Sequence, residues 1–256
     1  MPQQCKNDFA YALSCFININ GNPDRSLAQK LDCILDAGVN HFQVDIPLEW
    51  PLESLIAETK KRGLRCMVVN DYMQNLNEFD QNLKLAVSLG AKYYNHHFPK
   101  SFNTDLEGAV SMAKQLKERC AKENIQYLIE LHRGTYTHNL ERTYAFTKAY
   151  PEVAYLADMS HYIIQGYSYK ELEGLYANVQ AIHLRVANSE CSQPEIFPEK
   201  TKGIQDFEKY YKDLLKLGFN GPVISEMIPF YLQYPPYDLH ENNKKIIALA
   251  KEWSGL

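Results

Sequence analysis

The chain has 256 residues, 45% of them hydrophobic, and a formal net charge of −4. That length suits one large domain with a well-buried core, and an eight-fold β/α barrel usually has about 250 residues. A mildly acidic net charge argues against a phosphate backbone, and so against nucleic acid, as the main partner, since such binding normally needs a basic stripe.

In chain order, short runs rich in β-branched and aromatic residues alternate with amphipathic stretches of ten or more. Strands are expected at 9–17, 41–47, 65–70, 92–98, 125–132, 152–158, 179–186 and 222–228. Helices are expected at 26–38, 52–62, 77–90, 105–123, 139–149, 169–177, 204–217 and 238–253. Ser26, Asn77, Asp105 and Asn139 are the expected N-caps. Gly38, Gly90 and Gly218 stand one position past a periodic stripe, where helices end. In 105–123, Leu106, Ala109, Val110, Ala113, Leu116 and Cys120 share one face. Eight strands each followed by a helix predict an α/β fold, a single (β/α)8 TIM barrel over residues 1–256. An open doubly wound sheet fits less well, because the first strand runs into Asn18-Ile19-Asn20-Gly21-Asn22 with no Gly-x-Gly-x-x-Gly turn. The irregular stretches 187–203 and 229–237 follow strands and belong on the C-terminal rim, with 187–203 long enough to act as a lid.

No apolar run approaches the roughly 20 residues of a membrane helix, and the start shows no signal-peptide pattern. The cysteines at 5, 15, 33, 66, 120 and 191 form no Cys-x-x-Cys pair. Reduced core thiols in a cytoplasmic protein without membrane partners are the expectation.

Four strand ends carry the chemistry: Glu130 in YLIELH, Asp158 in YLADMSH, His183 in AIHLRV and Glu226 in VISEMI. Their separations of 28, 25 and 43 residues correspond to one β/α unit each, the last lengthened by 187–203. Side chains alternate along a strand, so Glu130 and His132 face the lumen while Ile129 and Leu131 face the helices. The same rule puts Arg185 beside His183, and His97 beside Asn95. Three carboxylates converging in a barrel mouth repel one another unless a cation compensates. Three oxygen donors and one imidazole suit Mn²⁺ best, with Mg²⁺, Co²⁺ or Zn²⁺ as alternatives. Around this set, His161 is placed to bind substrate or a second metal. Arg185 is placed to clamp a substrate oxygen or to pair with a site carboxylate. His97 and His132 are further candidates for substrate contact, and Asp45 and Asn70 weaker ones. Aromatic residues expected at the rim are Tyr72, Phe98, Phe102, Tyr136, Tyr162, Tyr167, Phe230, Tyr231 and Tyr234, of the kind that packs on the C–H faces of a sugar.

The order Glu130, Asp158-x-x-His161, His183 and Glu226 resembles the xylose isomerase-like barrel superfamily. It is most similar to the branch of sugar isomerases and epimerases that includes ketose 3-epimerases and hydroxypyruvate isomerase. The resemblance implies a metal-dependent isomerase or epimerase in which Glu130 and Glu226 are the acid/base groups. Its substrate would be a small sugar or hydroxy-ketone, reacting through a metal-stabilised enediolate. It also implies that Glu130, Asp158, His183 and Glu226 bind the metal, that His161 lies near substrate, and that a homo-oligomer is common. Two positions depart from the epimerase pattern. Ser189 stands where an arginine is found six past the metal histidine, and Tyr136 where a glutamate is found six past the first ligand. A lyase that keeps the same metal and enediolate, acting on an inosose, a dehydroshikimate-like substrate or a 3-oxo-glycoside, is a competing reading. An endonuclease IV-like phosphodiesterase and a non-catalytic sugar-binding barrel are the remaining ones.

Overall fold

The alternation of strand-like and helix-like runs resolves into a closed parallel barrel. The computed structural model describes residues 7–16, 22–72, 76–99, 105–188, 190, 202–228 and 238–255. The strands are β1 Phe9–Ala12, β2 His41–Ile46, β3 Arg65–Asp71, β4 Tyr93–His96, β5 Gln126–Leu131, β6 Tyr155–Ala157, β7 Val179–Leu184 and β8 Val223–Ser225. Each pairs in parallel with its sequence neighbours, and β8 returns to β1 with Phe9 opposite Val223. Closure pairs each of these eight strands on both sides, so none of them presents an open edge.

The helices are α1 Leu27–Asp36, α2 Leu52–Arg62, α3 Leu76–Ser88, α4 Leu106–Lys122, α5 Leu140–Ala149, α6 Ser160–Ile163, α7 Tyr169–Leu172, α8 Ile204–Lys216 and α9 Leu239–Trp253. Local chemistry accounts for their ends. Ser26 caps α1 in a reciprocal box with Gln29, Asp105 accepts from the Gly108 N–H, and Asn139 accepts from the Arg142 N–H. Gly38, Gly90 and Gly218 adopt φ of 68°, 68° and 89°, the left-handed conformation that stops a helix. In α8, Phe207, Tyr210, Tyr211 and Leu214 are buried at helical spacing against the barrel.

Several boundaries differ from expectation. Asn77 lies inside α3 rather than capping it. Leu106 is exposed, unlike the rest of its predicted face. The first strand stops at Ala12 and gives way to a 3₁₀ turn over Leu13–Phe16. All four residues of that turn are buried, and the Asn22 amide holds the Cys15 carbonyl at 2.9 Å. A uniformly apolar run cannot distinguish a long strand from this inward turn. The helix expected over 169–177 is α7 followed by 3₁₀ turns over Glu173–Asn178. Gly174 sits there against the Tyr144 ring, where a Cβ would come within 2.7 Å. Phe98, Tyr136 and Tyr162 are core rather than rim residues, each with 2% exposure or less. Phe98 and Tyr136 pack with Phe146, while the Tyr162 hydroxyl donates to the Thr137 carbonyl. Phe102, Phe230, Tyr231, Tyr234, Ser189 and most of 187–203 lie outside the described residues.

Cys15, Cys33, Cys66 and Cys120 are free thiols, and Cys5 and Cys191 lie outside the described residues. No helix among the described residues is long and apolar enough to cross a membrane.

Asn243 on α9 braces the end of β8. Its Oδ1 accepts from the Ser225 hydroxyl and from the Met227 N–H, and its Nδ2 donates to the Leu239 carbonyl at 2.9 Å. The residue between Ser225 and Met227 is Glu226, so this amide fixes the backbone that carries it. Asn243→Leu strands several buried polar groups, each worth about 1–3 kcal/mol. The expected loss is on the order of 3 kcal/mol, read as a lower urea midpoint at unchanged m-value.

Candidate active site

The barrel brings Glu130, Asp158, His183 and Glu226 to one point. Ligand atoms of all four lie within 4.8 Å of one another, and all four residues are buried. Glu130 lies in β5 and His183 in β7, while Asp158 and Glu226 stand one residue past β6 and β8. Nδ1 of His183 is 3.1 Å from Glu226 Oε2, 3.8 Å from Glu130 Oε1 and 3.9 Å from Asp158 Oδ2.

Each ligand candidate is held from behind. The residue that sequence reasoning missed is Gln43 on β2. Its Nε2 donates to Glu226 Oε1 at 3.0 Å, and its Oε1 lies 3.1 Å from His183 Nε2. A carboxylate only accepts, so the amide NH₂ must face Glu226 and the amide oxygen must face His183. The hydrogen of His183 therefore sits on Nε2, and in the neutral ring the Nδ1 lone pair points at three carboxylates. Buried Nδ1 meets hydrogen-bond geometry with no described residue. A divalent cation fits this donor set: three oxygens, one nitrogen lone pair and a surplus of negative charge. The signal for Gln43 was present in the alternation of β2, where Gln43 and Asp45 share the lumen side.

Further side chains complete a polar girdle around the mouth. Asn70 donates to Asp45 Oδ1 at 2.9 Å, and Asn95 donates to Asn70 Oδ1 at 2.8 Å and to Glu130 Oε2 at 2.5 Å. His97 Nε2 stands 2.7 Å from Glu130 Oε2. Its neighbour His96 instead bonds the Tyr127 hydroxyl inside the wall, as alternation requires. Asp158 Oδ1 accepts from the Ser160 N–H and hydroxyl, and its Oδ2 accepts from Arg185 Nη1 at 3.1 Å. Arg185 is thus paired with a site carboxylate while also lining the cavity. His161 stands in the one-turn helix α6 rather than in a loop, 3.4 Å from Asp158.

Above this centre is a cavity of about 430 Å³, whose lining includes Tyr72, His97, His132, His161, Glu130 and Glu226. Its rings form a row. Tyr72 packs on His97 at 4.1 Å, His97 on His132 at 4.8 Å, and His132 on His161 at 3.8 Å between centroids. Among the described residues no lysine lines the cavity.

Burial and charge pull these groups apart in protonation. Burial alone would raise the Glu130 pKa, but His97 and His183 hold it well below the usual carboxylate range. Burial likewise opposes Asp158, yet His161 and Arg185 keep it ionised. Burial pushes Glu226 up to about 7, opposed by His183 and helped by the Glu130 charge. Burial disfavours charged His183, but Glu226 and its fellow carboxylates raise it to about 9. Burial drives His161 well below its ordinary value and His132 down to about 4.

A family profile described as xylose isomerase-like TIM barrel matches residues 34–253, and the chain belongs to that family. Similar solved structures include D-allulose 3-epimerase from Methylomonas sp. in complex with D-allulose. It is 12% identical with a TM-score of 0.70, and the match covers 96% of this chain and 97% of that one. The probable 3-DHS dehydratase AsbF of Bacillus anthracis is also 12% identical, with a TM-score of 0.70 and 94% and 98% coverage. A xylose isomerase-like TIM barrel protein from Mycobacterium smegmatis in complex with magnesium is 15% identical, with a TM-score of 0.67 and 99% coverage of both chains. At such identities the likeness is one of fold. No curated protein sequence matches this chain.

Two outcomes follow. Gln43→Leu removes the acceptor for His183 and the donor for Glu226. It should weaken Mn²⁺ binding about 10- to 100-fold in a calorimetric titration. The second concerns pH. A histidine raised from 6.5 to about 9 stabilises the fold fully below pH 6.5 and loses that contribution as pH rises through 9. Glu226, raised from 4.5 to about 7, binds extra protons in the folded state and changes in the same direction. The lowered His132 and His161 act with opposite sign, but only below pH 6.5. The metal-free protein should therefore lose on the order of 3 kcal/mol between pH 6.5 and 9. In thermal melts, added Mn²⁺ should raise Tm more at pH 8.5 than at pH 6.5.

Proposed function

We propose that this protein is a divalent-metal-dependent isomerase or epimerase of a small sugar or hydroxy-ketone. Glu130 and Glu226 would move the proton. One observation carries the reading: two glutamates meet at one buried centre, each with one oxygen tied by the protein and the other turned inward. Glu130 Oε2 is held by Asn95 and His97 and leaves Oε1 toward His183. Glu226 Oε1 is held by Gln43 and leaves Oε2 toward His183.

Glu130, Asp158, His183 and Glu226 would hold the ion, Mn²⁺ being the best match and Mg²⁺, Co²⁺ or Zn²⁺ the alternatives. Such an ion supplies Lewis-acid polarisation of a substrate carbonyl. Glu130, kept ionised beside His97, takes the proton from the carbon next to that carbonyl. Glu226, the second glutamate at the centre, returns a proton to the neighbouring carbon or to the opposite face. Arg185 holds Asp158 and offers positive charge to a substrate oxygen, and His97 and His161 complete the polar wall. A phosphodiesterase reading is disfavoured by the net charge of −4 and by the pairing of Arg185 with Asp158.

A second reading, a lyase that expels a leaving group β to the carbonyl, gains support from one residue. Tyr136 occupies the position where the resembling epimerases carry a glutamate, and its ring is buried with Phe98 and Phe146 instead of lining the cavity.

The test is turnover of ketoses and hydroxy-ketones by the Mn²⁺-loaded protein in D₂O. Deuterium appearing at the reacting carbon of an isomerised product is expected. Glu130→Gln and Glu226→Gln should each lower kcat by about 10²- to 10⁴-fold. An unsaturated product would establish the lyase instead, and bound Mn²⁺ with no turnover on any substrate would reject both.

A further inference from the structure

The segment after β5 reads Glu130-Leu131-His132-Arg133-Gly134-Thr135, and only its first residue belongs to the candidate metal set. The hydrogen bonds of this turn converge on His132. The Gly134 N–H donates to His132 Nδ1 at 2.9 Å. The N–H and hydroxyl of Thr135 both donate to the His132 carbonyl, at 3.1 and 2.9 Å. The His132 N–H donates to the Thr137 hydroxyl at 3.2 Å, and that hydroxyl donates to the Glu130 carbonyl at 2.8 Å. A side chain at 134 would crowd the His132 ring. A Cβ there would lie 3.0 Å from both Cε1 and Nδ1 of the His132 ring.

An N–H donates only to a nitrogen that carries no hydrogen, so the His132 hydrogen is on Nε2. This decides between two roles. With His97 and Glu130, His132 forms a second group whose ligand atoms lie within 4.8 Å, an arrangement that suggests another cation site. With Nδ1 occupied by Gly134 and Nε2 by its own hydrogen, the ring has no lone pair left for a metal.

We infer that His132 is a fixed hydrogen-bond donor to the substrate and not a ligand of a second ion. The His132-Arg133-Gly134 turn is the lock that sets its tautomer. The inference rests on the proposed function for the presence of an oxygen-rich substrate in the cavity. His132 lines that cavity together with Glu130 and Glu226. It packs T-shaped on His161, whose two buried ring nitrogens hydrogen-bond to no described residue. The group it takes is an acceptor oxygen, the carbonyl or hydroxyl beside the reacting carbon. A donor held in place before substrate arrives need not reorganise when charge develops on that oxygen.

The test uses the full chain with Mn²⁺ as the probe. Calorimetry should give one Mn²⁺ per chain, with affinity unchanged in His132→Ala and His132→Gln and lost in Glu130→Gln. Nitrogen-15 spectra of the histidine rings should show His132 as the Nε2–H tautomer with and without Mn²⁺. On the substrate identified by turnover, His132→Ala should lose about 10²- to 10³-fold in kcat. His132→Gln, whose amide nitrogen replaces Nε2, should recover most of that loss. Gly134→Ala, by displacing the ring, should match His132→Ala in rate while keeping Mn²⁺ affinity. A second Mn²⁺ that disappears in His132→Ala, an Nδ1–H spectrum, or wild-type kcat in His132→Ala would overturn the inference. Stoichiometry and tautomer need no substrate. A wrong substrate class would leave both intact and abolish only turnover, whereas a wrong role for His132 would change them directly.

Discussion

Three carboxylates, those of Glu130, Asp158 and Glu226, are forced together in the buried mouth of the barrel. Like charges at that separation and depth oppose the fold unless positive charge compensates. The protein supplies part of the compensation itself, with His183 among the carboxylates, His97 against Glu130 and Arg185 against Asp158. A divalent cation would supply the rest. The crowded charge also raises the proton affinity of His183, and burial raises that of Glu226.

The repelling groups stay together because they stand on separate strands of a closed sheet. Covalent chain and backbone ladders fix where each carboxylate begins, and the side chains have little freedom to retreat. The surrounding polar residues then aim them. Gln43 reaches across the lumen from β2 to β7 and β8, while Asn70 and Asn95 carry a hydrogen-bonded chain from Asp45 to Glu130. Sites of this kind concentrate local conflict that the rest of the fold must outweigh. Here the compensation comes from an apolar layer between barrel and helices, to which every strand contributes buried residues.

One metal-binding quartet can serve isomerisation or elimination, since both begin by loosening a proton next to a carbonyl. What separates them is the wall of the cavity: which groups donate, which accept, and where the leaving oxygen or returning proton finds a partner. In this chain the wall is a row of rings, Tyr72, His97, His132 and His161. The row passes from a histidine whose pKa Glu130 raises against its burial to two that burial lowers. A gradient of this sort gives the two ends of one small cavity different proton affinities, and it distinguishes the site from its bare ligand set.

The fold was legible in the sequence because period-2 runs and 3.6-residue stripes recur at unit spacing, and helix ends carry Ser26, Asp105, Asn139 and the stop glycines. Glu130, Asp158, His183 and Glu226 were legible for the same reason. An ionisable residue among β-type apolar neighbours at a strand end can point only into the lumen or into the wall. Strand lengths near Leu13–Phe16 were not legible, since an apolar turn and an apolar strand look alike in composition. Nor was the burial of Phe98, Tyr136 and Tyr162, whose rings are as compatible with a rim as with a core. By itself the sequence determined which strands carry acids and imidazoles, through alternation and spacing, which are local properties of the backbone. Only the tertiary structure decided that Gln43 fixes His183 and Glu226 and that Gly134 fixes the tautomer of His132. Those choices depend on distances of about one hydrogen bond, the first across the closed barrel and the second within one folded turn, and no linear pattern records them.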